Sequence, residues 1–193
     1  GIFGLLRWLA PIVPAATYQW GDNFATLAVV GMLYASFIAL RQDDLKRLVA
    51  YSSIAHIGLM ILAVFAPSYS GIQGVMIQMF NHGVNILGMW IVVNVIEQKF
   101  GTRKISELGG LAQKAPVLTI LLVIVALANL AMPLTNAFIG EFMMFNGVLG
   151  STATHFGIAY AVAGIITIIL GAVYTLKMIQ KGFYGETNPR TAN

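Results

Sequence analysis

The sequence contains no cysteine and very little charge. Without thiols there is no disulfide framework, no thiolate metal site and no cysteine nucleophile, and cysteine usage gives no redox compartment. Only 9% of the 193 residues are charged, against about 25% in an ordinary soluble domain. The 11 Lys and Arg and 7 Asp and Glu are too few to cover a water-facing globule. They also exclude a disordered chain and a nucleic-acid binder, even though the net charge is +4. No GxGxxG or Walker loop is present for a nucleotide, no HExxH or carboxylate pair for a metal, and no GxSxG elbow for a serine hydrolase. No charged n-region or small-residue cleavage site marks a signal peptide. The chain opens at Gly1 inside an apolar stretch and reads as part of a longer polypeptide.

Hydrophobic residues dominate what is there, at 58%. This composition points to an all-α, polytopic transmembrane helix bundle, an integral multi-pass protein in a lipid bilayer. Apolar runs of about 20 residues, the length that crosses about 30 Å of hydrocarbon, place spans at 24–40, 48–65, 72–96, 116–149 and 156–176. Residues 1–10 are too short to cross and end at Pro11 and Pro14, as the tail of a cut first helix would. The bundle then occupies 1–181, and a polar tail on the basic side follows at 182–193.

The cations fix the orientation. They fall in three clusters: Arg41, Lys46 and Arg47; Lys99, Arg103, Lys104 and Lys114; Lys177, Lys181 and Arg190. The turns between the intervening pairs of spans, near 68–71 and 150–155, carry no Lys or Arg. Ten of the 11 cations therefore lie on one side, Arg7 being the exception. The positive-inside rule makes that side the cytoplasm, or the matrix of an organelle.

The fourth span is too long. A straight helix over 116–149 would measure about 51 Å, and Pro133 interrupts it. Proline removes a backbone donor and clashes with the preceding turn, so the helix kinks or unwinds there. Discontinuous helices are tolerated at membrane depth where they are buried or line a wet cavity, and transporters bind ions at them. A helix–loop–helix with Pro133 in an ordinary loop fits the same residues.

Three spans carry polar groups inward. Glu141 is the one acid of seven set deep in a span. Such a residue costs about 2.5–3.5 kcal/mol to insert and usually faces the bundle interior. His56 lies among Ser52, Ser53, Ala55 and Gly58, where it suits either a proton carrier or a close helix contact. Gln78, His82 and Asn85 stand at i, i+4 and i+7 on one helix face, and Gln73 and Asn94 add polarity along the same helix. That stripe predicts an internal hydrated path, with interhelical hydrogen bonding as the alternative. The nine methionines are scattered through apolar spans and read as packing.

The stretch Asp44-Leu45-Lys46-Arg47-Leu48-Val49-Ala50-Tyr51-Ser52-Ser53-Ile54-Ala55-His56-Ile57-Gly58 closely resembles the DLKRLIAYSSVSHMG motif of the antiporter-like membrane subunits of respiratory complex I. Residues 78–83 resemble the QMxNHG motif of the same group, and Gly109-Gly110-Leu111 its GGL. That group is related to the Mrp cation/proton antiporters and to membrane subunits of energy-converting hydrogenases. Gly140-Glu141-Phe142 resembles the GEF of the glutamate-bearing chain M (chain 4) type. The preceding PGTNGFVGEF-like pattern is altered, because Leu134 and Ala137 replace customary glycines, which implies a less flexible break.

The resemblance covers essentially the whole chain and implies the second half of an antiporter-like fold of about fourteen spans. It implies proton exchange at Glu141, and a central hydrophilic axis through His56 and His82 with Gln78 and Asn85 in support. Lys46 would be a loop residue on the basic side, more structural than conducting. The resemblance also implies a proton-translocating NADH:quinone oxidoreductase subunit working with other membrane-arm subunits, in a bacterial inner membrane or an organellar inner membrane. Protons and internal water would be its cargo and medium, and nucleic acid would play no part. Cofactors are expected to be none in this chain, with NADH, FMN, iron–sulfur clusters and quinone held by partner subunits. The glutamate–lysine pair of the first half is missing, so the isolated chain should not pump. An Mrp-type sodium/proton antiporter subunit, a membrane-bound hydrogenase subunit and a structural membrane scaffold are the alternatives.

Overall fold

The structure, a computed structural model, describes residues 1–189, so Arg190 and the end of the polar tail lie outside the described residues. The described chain is an α-helical bundle: α1 Ile2–Ile12, α2 Pro14–Gln19, α3 Gly21–Leu40, α4 Leu45–Phe65, α5 Tyr69–Phe100, α6 Leu111–Lys114, α7 Pro116–Asn129, α8 Asn136–Leu149 and α9 Gly157–Phe183. Four of these, α3, α4, α5 and α9, are long and apolar enough to cross a membrane.

Local chemistry sets the ends. Asp44 caps α4, its Oδ1 accepting from the backbone N–H groups of Lys46 at 2.9 Å and Arg47 at 3.2 Å. Ser68 caps α5, its Oγ accepting from Gly71 N–H at 3.0 Å, so the helix begins three residues before the apolar run at 72–96. It continues to Phe100, about 48 Å in all. Helix α1 does not stop at Pro11 as expected. The N–H of Ala10 reaches back to the Leu5 carbonyl in a wide turn, and the helix passes through Pro11 to Ile12 before Val13 leaves helical geometry.

α7 and α8, 14 residues each, run in sequence along α5. Contacts along α5 pair Gly88 with Val125, Asn85 with Ala128, Asn81 with Asn136 and Gly74 with Gly140. The two half-helices therefore make one pass, antiparallel to α5, with the break at 130–135. Gly74 makes the close approach to α8. A Cβ there would lie 2.8 Å from the Gly140 carbonyl oxygen and 2.9 Å from the Met144 nitrogen. At the break, Ala131 and Leu134 adopt φ of 55° and 77°. Pro133 offers no donor, and the turn is closed by Met132 N–H to Leu127 O at 3.2 Å and Thr135 N–H to Met132 O at 3.0 Å.

The basic clusters converge at one end. Lys46 pairs with Glu97, Arg103 Nε lies 2.6 Å from Asp44 Oδ2, and Lys177 Nζ donates to Leu40 O at 3.0 Å. The loop after α5 is tied down by Ile105 N–H to Asp43 O at 2.6 Å. Gly110, at φ 63°, adopts a conformation that side chains resist, and a Cβ there would strike Thr187. The GGL motif thus seats the tail against the 105–110 loop.

The core divides into two apolar clusters. One, toward the basic end, gathers Leu45, Leu48, Val93, Leu122 and Met178. The other gathers Met32, Leu62, Val75, Met144 and Val148. Between them runs a band of buried polar side chains, supplied mainly by α4, α5, α7 and α8, with Thr167 of α9 also buried.

Candidate proton-transfer site

The band is built from positions that alternate with the apolar ones on the same helices. On α4, Ser52 and His56 lie between Leu48 and Leu59. On α5, Gln78, Asn81, His82 and Asn85 lie between Val75 and Met89 and are all buried. The i, i+4, i+7 stripe faces the interior. Gln73 and Asn94 do not belong to it: both are exposed on the outer side of α5, since neither stands at helical spacing with Gln78 and Asn85.

Glu141, one and a half turns into α8, is 4% exposed. Its Oε1 lies 3.0 Å from His56 Nδ1. The His56 and His82 rings are 5.5 Å apart and tilted by 48°. His82 Nε2 in turn lies 2.9 Å from Ser53 Oγ. Two histidines 26 residues apart in sequence and an acid from a third helix therefore form a continuous group. The Glu141–His56 contact joins a carboxyl to an imidazole, two side chains that can each take up or release a proton.

The break supports this group. Asn136, at the first turn of α8, donates to Asn85 Oδ1 at 3.2 Å and to Asn81 Oδ1 at 3.4 Å. Asn81 Nδ2 donates back to the Asn136 carbonyl at 2.8 Å, and Asn85 Nδ2 to the Ala128 carbonyl at 3.0 Å. Asn129, the last residue of α7, donates to Ser52 Oγ at 3.0 Å. The Ala128 carbonyl in the last turn of α7 and the Asn136 carbonyl in the first turn of α8 thus accept from α5 amides. Gln78 packs against Gly140, beside Glu141. A cavity of about 20 Å³ adjoins Glu141 and His56, bounded also by Thr167 and Tyr174. That is room for about one water. Gln78 Oε1 and Asn129 Oδ1 are buried without a partner among the described residues, and such acceptors are usually met by internal water.

The chain matches the family described as NADH:quinone oxidoreductase/Mrp antiporter, TM, over residues 1–177. It belongs to that family. Among the family's curated members, NADH-quinone oxidoreductase subunit M of Rickettsia typhi is 35% identical over 186 residues, 96% of this chain and 37% of that protein. Among solved structures, respiratory complex I from Thermus thermophilus with bound NADH matches with a TM-score of 0.90 and 29% identity, over 97% of this chain and 39% of the other. The Mrp complex of a Dietzia species shares the fold, with a TM-score of 0.82 at 20% identity, over 89% of this chain and 32% of that one. The chain therefore spans between 32% and 39% of the length of these relatives. Family membership and the apolar helices make it an integral multi-pass membrane protein.

The structure brings together Glu141, His56, His82, Gln78 and Asn85. Pro133 stands apart, exposed in the break that positions them, and Lys46 lies at the basic end, paired with Glu97. Sequence reasoning missed Asn129, Asn136 and Tyr174 as members of the site. Asn129 was visible as the polar exception in an apolar run, and Thr167, Gly171 and Tyr174 stand at i, i+4 and i+7 on one face of α9.

Proposed function

We propose that this chain is the second half of a proton-translocating membrane-arm subunit of an NADH:quinone oxidoreductase, of the chain M (chain 4) type. The observation that carries the reading is Glu141, buried in the second half of a broken helix and bonded to His56, with His82 and Ser53 beyond it. Protons would move through these side chains and internal water along the axis that Gln78 and Asn85 line. The basic end would face the cytoplasm of a bacterium, or the matrix if the membrane is organellar. NADH, FMN, iron–sulfur clusters and quinone would be held by partner subunits, and this chain would meet other membrane-arm subunits and lipid.

Electrostatics supplies the coupling. A buried unpaired charge costs several kcal/mol, so a proton moving onto the Glu141–His56 pair responds strongly to charge nearby. A unit charge arriving about 8 Å away changes that proton's free energy by about 2 kcal/mol at an effective dielectric of about 20. A shift of that size changes occupancy roughly 30-fold, enough to load or release the proton without moving a helix.

The test is Glu141→Gln in the assembled complex, scored by proton pumping in membrane vesicles and by recovery of the intact complex. The Gln variant should assemble and lose at least tenfold in coupled pumping, and Glu141→Asp should keep most of it. Normal pumping by the Gln variant would sink the role of Glu141. A structural scaffold predicts the opposite split, with Glu141→Gln and His82→Asn losing assembly first. The fold shared with the Mrp complex favours one second reading, a sodium/proton antiporter subunit, which requires sodium-dependent proton movement in vesicles that lack quinone-linked partners.

A further inference from the structure

The basic end of the bundle holds a cleft of about 170 Å³ where α3 ends against α9. Arg41, Asp43, Lys177 and Lys181 line it and are exposed, whereas Leu48, Ile105 and Met178 line it and are buried. The charges therefore stand at the rim, over an apolar floor. The two helices run side by side and in parallel. Thr26 Oγ1 lies 2.9 Å from the Tyr160 hydroxyl near their starts, and Lys177 Nζ donates to Leu40 O at 3.0 Å near their ends. The cleft thus caps the seam between two membrane-crossing helices.

The charges at the rim do not cancel. Asp43 has both carboxylate oxygens committed to Ser106, accepting from its N–H at 2.8 Å and its Oγ–H at 2.5 Å. Among the described residues, the side chains of Arg41 and Lys181 form no ion pair. Glu186 shares a neighbouring cleft with Lys181 without pairing to it. Three cations therefore face one acid that is already bonded. Below them, α3 exposes Val30, Tyr34 and Phe37 at i, i+4 and i+7, and Arg41 continues that face at i+11. On α9, Ile169, Val173 and Leu176 are exposed, and Lys177 follows them. Each apolar stripe ends at a cation of the cleft.

We propose that this cleft binds the phosphate headgroup of an anionic phospholipid whose acyl chains lie along the exposed faces of α3 and α9. Arg41 offers a planar fork of N–H donors to the phosphate oxygens, and Lys181 a mobile point charge. Lys177 stays on the Leu40 carbonyl and adds its charge to the field. Basic pockets between membrane helices suit such headgroups. The apolar floor selects the lipid over a free phosphate, which would find no donor there, whereas the glycerol and first chain carbons of a lipid bury against it. The apolar stripes then carry the chains away from the cleft. A lipid seated in this way bridges the end of α3 to α9 and holds the seam closed at the membrane surface.

The experiment uses the full-length subunit in its assembled complex, reconstituted in phosphatidylcholine nanodiscs. Two photo-crosslinking probes are compared, phosphatidylglycerol and phosphatidylcholine, each with a diazirine in the same acyl chain, and labelled peptides are mapped by mass spectrometry. The anionic probe should label 30–37 of α3 and 169–176 of α9 in preference to the zwitterionic one, while the exposed face of α5 around Phe80 and Val84 labels alike with both. Arg41→Gln and Lys181→Gln should each lower labelling of the seam by the anionic probe about fivefold and leave the zwitterionic probe unchanged. Arg41→Lys should keep most of the labelling. Excess inorganic phosphate should not displace the probe. Equal labelling of the seam by the two probes, the same preference on α5, or unchanged labelling in the glutamine variants would overturn the site. Displacement by inorganic phosphate would show a free-anion site instead, and no labelling of the seam would show that protein covers it. If a glutamine variant fails to assemble, the comparison of the two probes on the unaltered protein decides.

Discussion

Replacing Leu134 by glycine should stabilise the break in the discontinuous helix. Leu134 sits at φ 77°, with its side chain fully exposed in this chain. A residue with a Cβ held in the left-handed region costs about 1–2 kcal/mol. Glycine escapes that strain but gives up about 0.5–1 kcal/mol through its more flexible unfolded chain. The net gain is about 0.5–1 kcal/mol. Leu134→Ala is the control, because alanine removes the same side-chain contacts and keeps the Cβ. The strain is local, so the assay is amide hydrogen exchange in the full-length protein. The reporters are the N–H of Met132, bonded to Leu127 O, and the N–H of Thr135, bonded to Met132 O. If local opening governs exchange, Leu134→Gly should slow these amides about 2–5-fold relative to Leu134→Ala. Equal exchange in the two variants would refute strain at position 134. Slower exchange in the alanine variant would show instead that flexibility, not strain, limits the break.

Gly74→Ala should force α5 from α8, because its Cβ would meet the Gly140 carbonyl and the Met144 nitrogen rather than a movable side-chain tip. A loss of about 1–3 kcal/mol should appear as reduced recovery of assembled protein and a lower melting midpoint. Asp43→Ala removes acceptors from Ser106 N–H at 2.8 Å and Ser106 Oγ–H at 2.5 Å; each bond contributes about 0.5–1.5 kcal/mol. Limited proteolysis should then cut the 101–110 loop sooner while the bundle stays intact. Lys46→Ala breaks a partly exposed pair with Glu97. Such pairs contribute about 0–1 kcal/mol, so the melting midpoint should barely move and pumping should persist.

The bundle, the gathering of the basic loops at one end and the break at Pro133 were legible because each rests on a one-dimensional signal. Apolar run length, the side on which Lys and Arg fall, and a proline in the middle of a double-length run are all sums along the chain. Glu141 and His82 were legible for the same reason, as polar residues where lipid would otherwise be. The junction of His56 with Glu141 was not, since those residues are 85 positions apart and meet only when α4 packs beside α8. Gln73 and Asn94 add polarity along the same helix, but its phase turns both outward, away from Gln78, His82 and Asn85. Tyr174 escaped because an aromatic residue in an apolar span reads as packing until its neighbours are known.

The departures from the glycine pattern in the break also separate in the structure. Ala137 lies within α8 and is 1% exposed, so helical geometry accommodates its Cβ without strain. Leu134 carries the left-handed φ that a glycine would take freely. The interruption is therefore held in one shape rather than loosened, and that shape is what the site needs. An intact helix would bond the Ala128 carbonyl to the amide four residues on in its own ladder. Unwinding at 130–135 leaves that carbonyl open to Asn85 and sets the Asn136 side chain against both Asn85 and Asn81. Those bonds fix the rotation of α8 about its axis, and the rotation is what points Glu141, five residues further on, at His56 rather than at lipid.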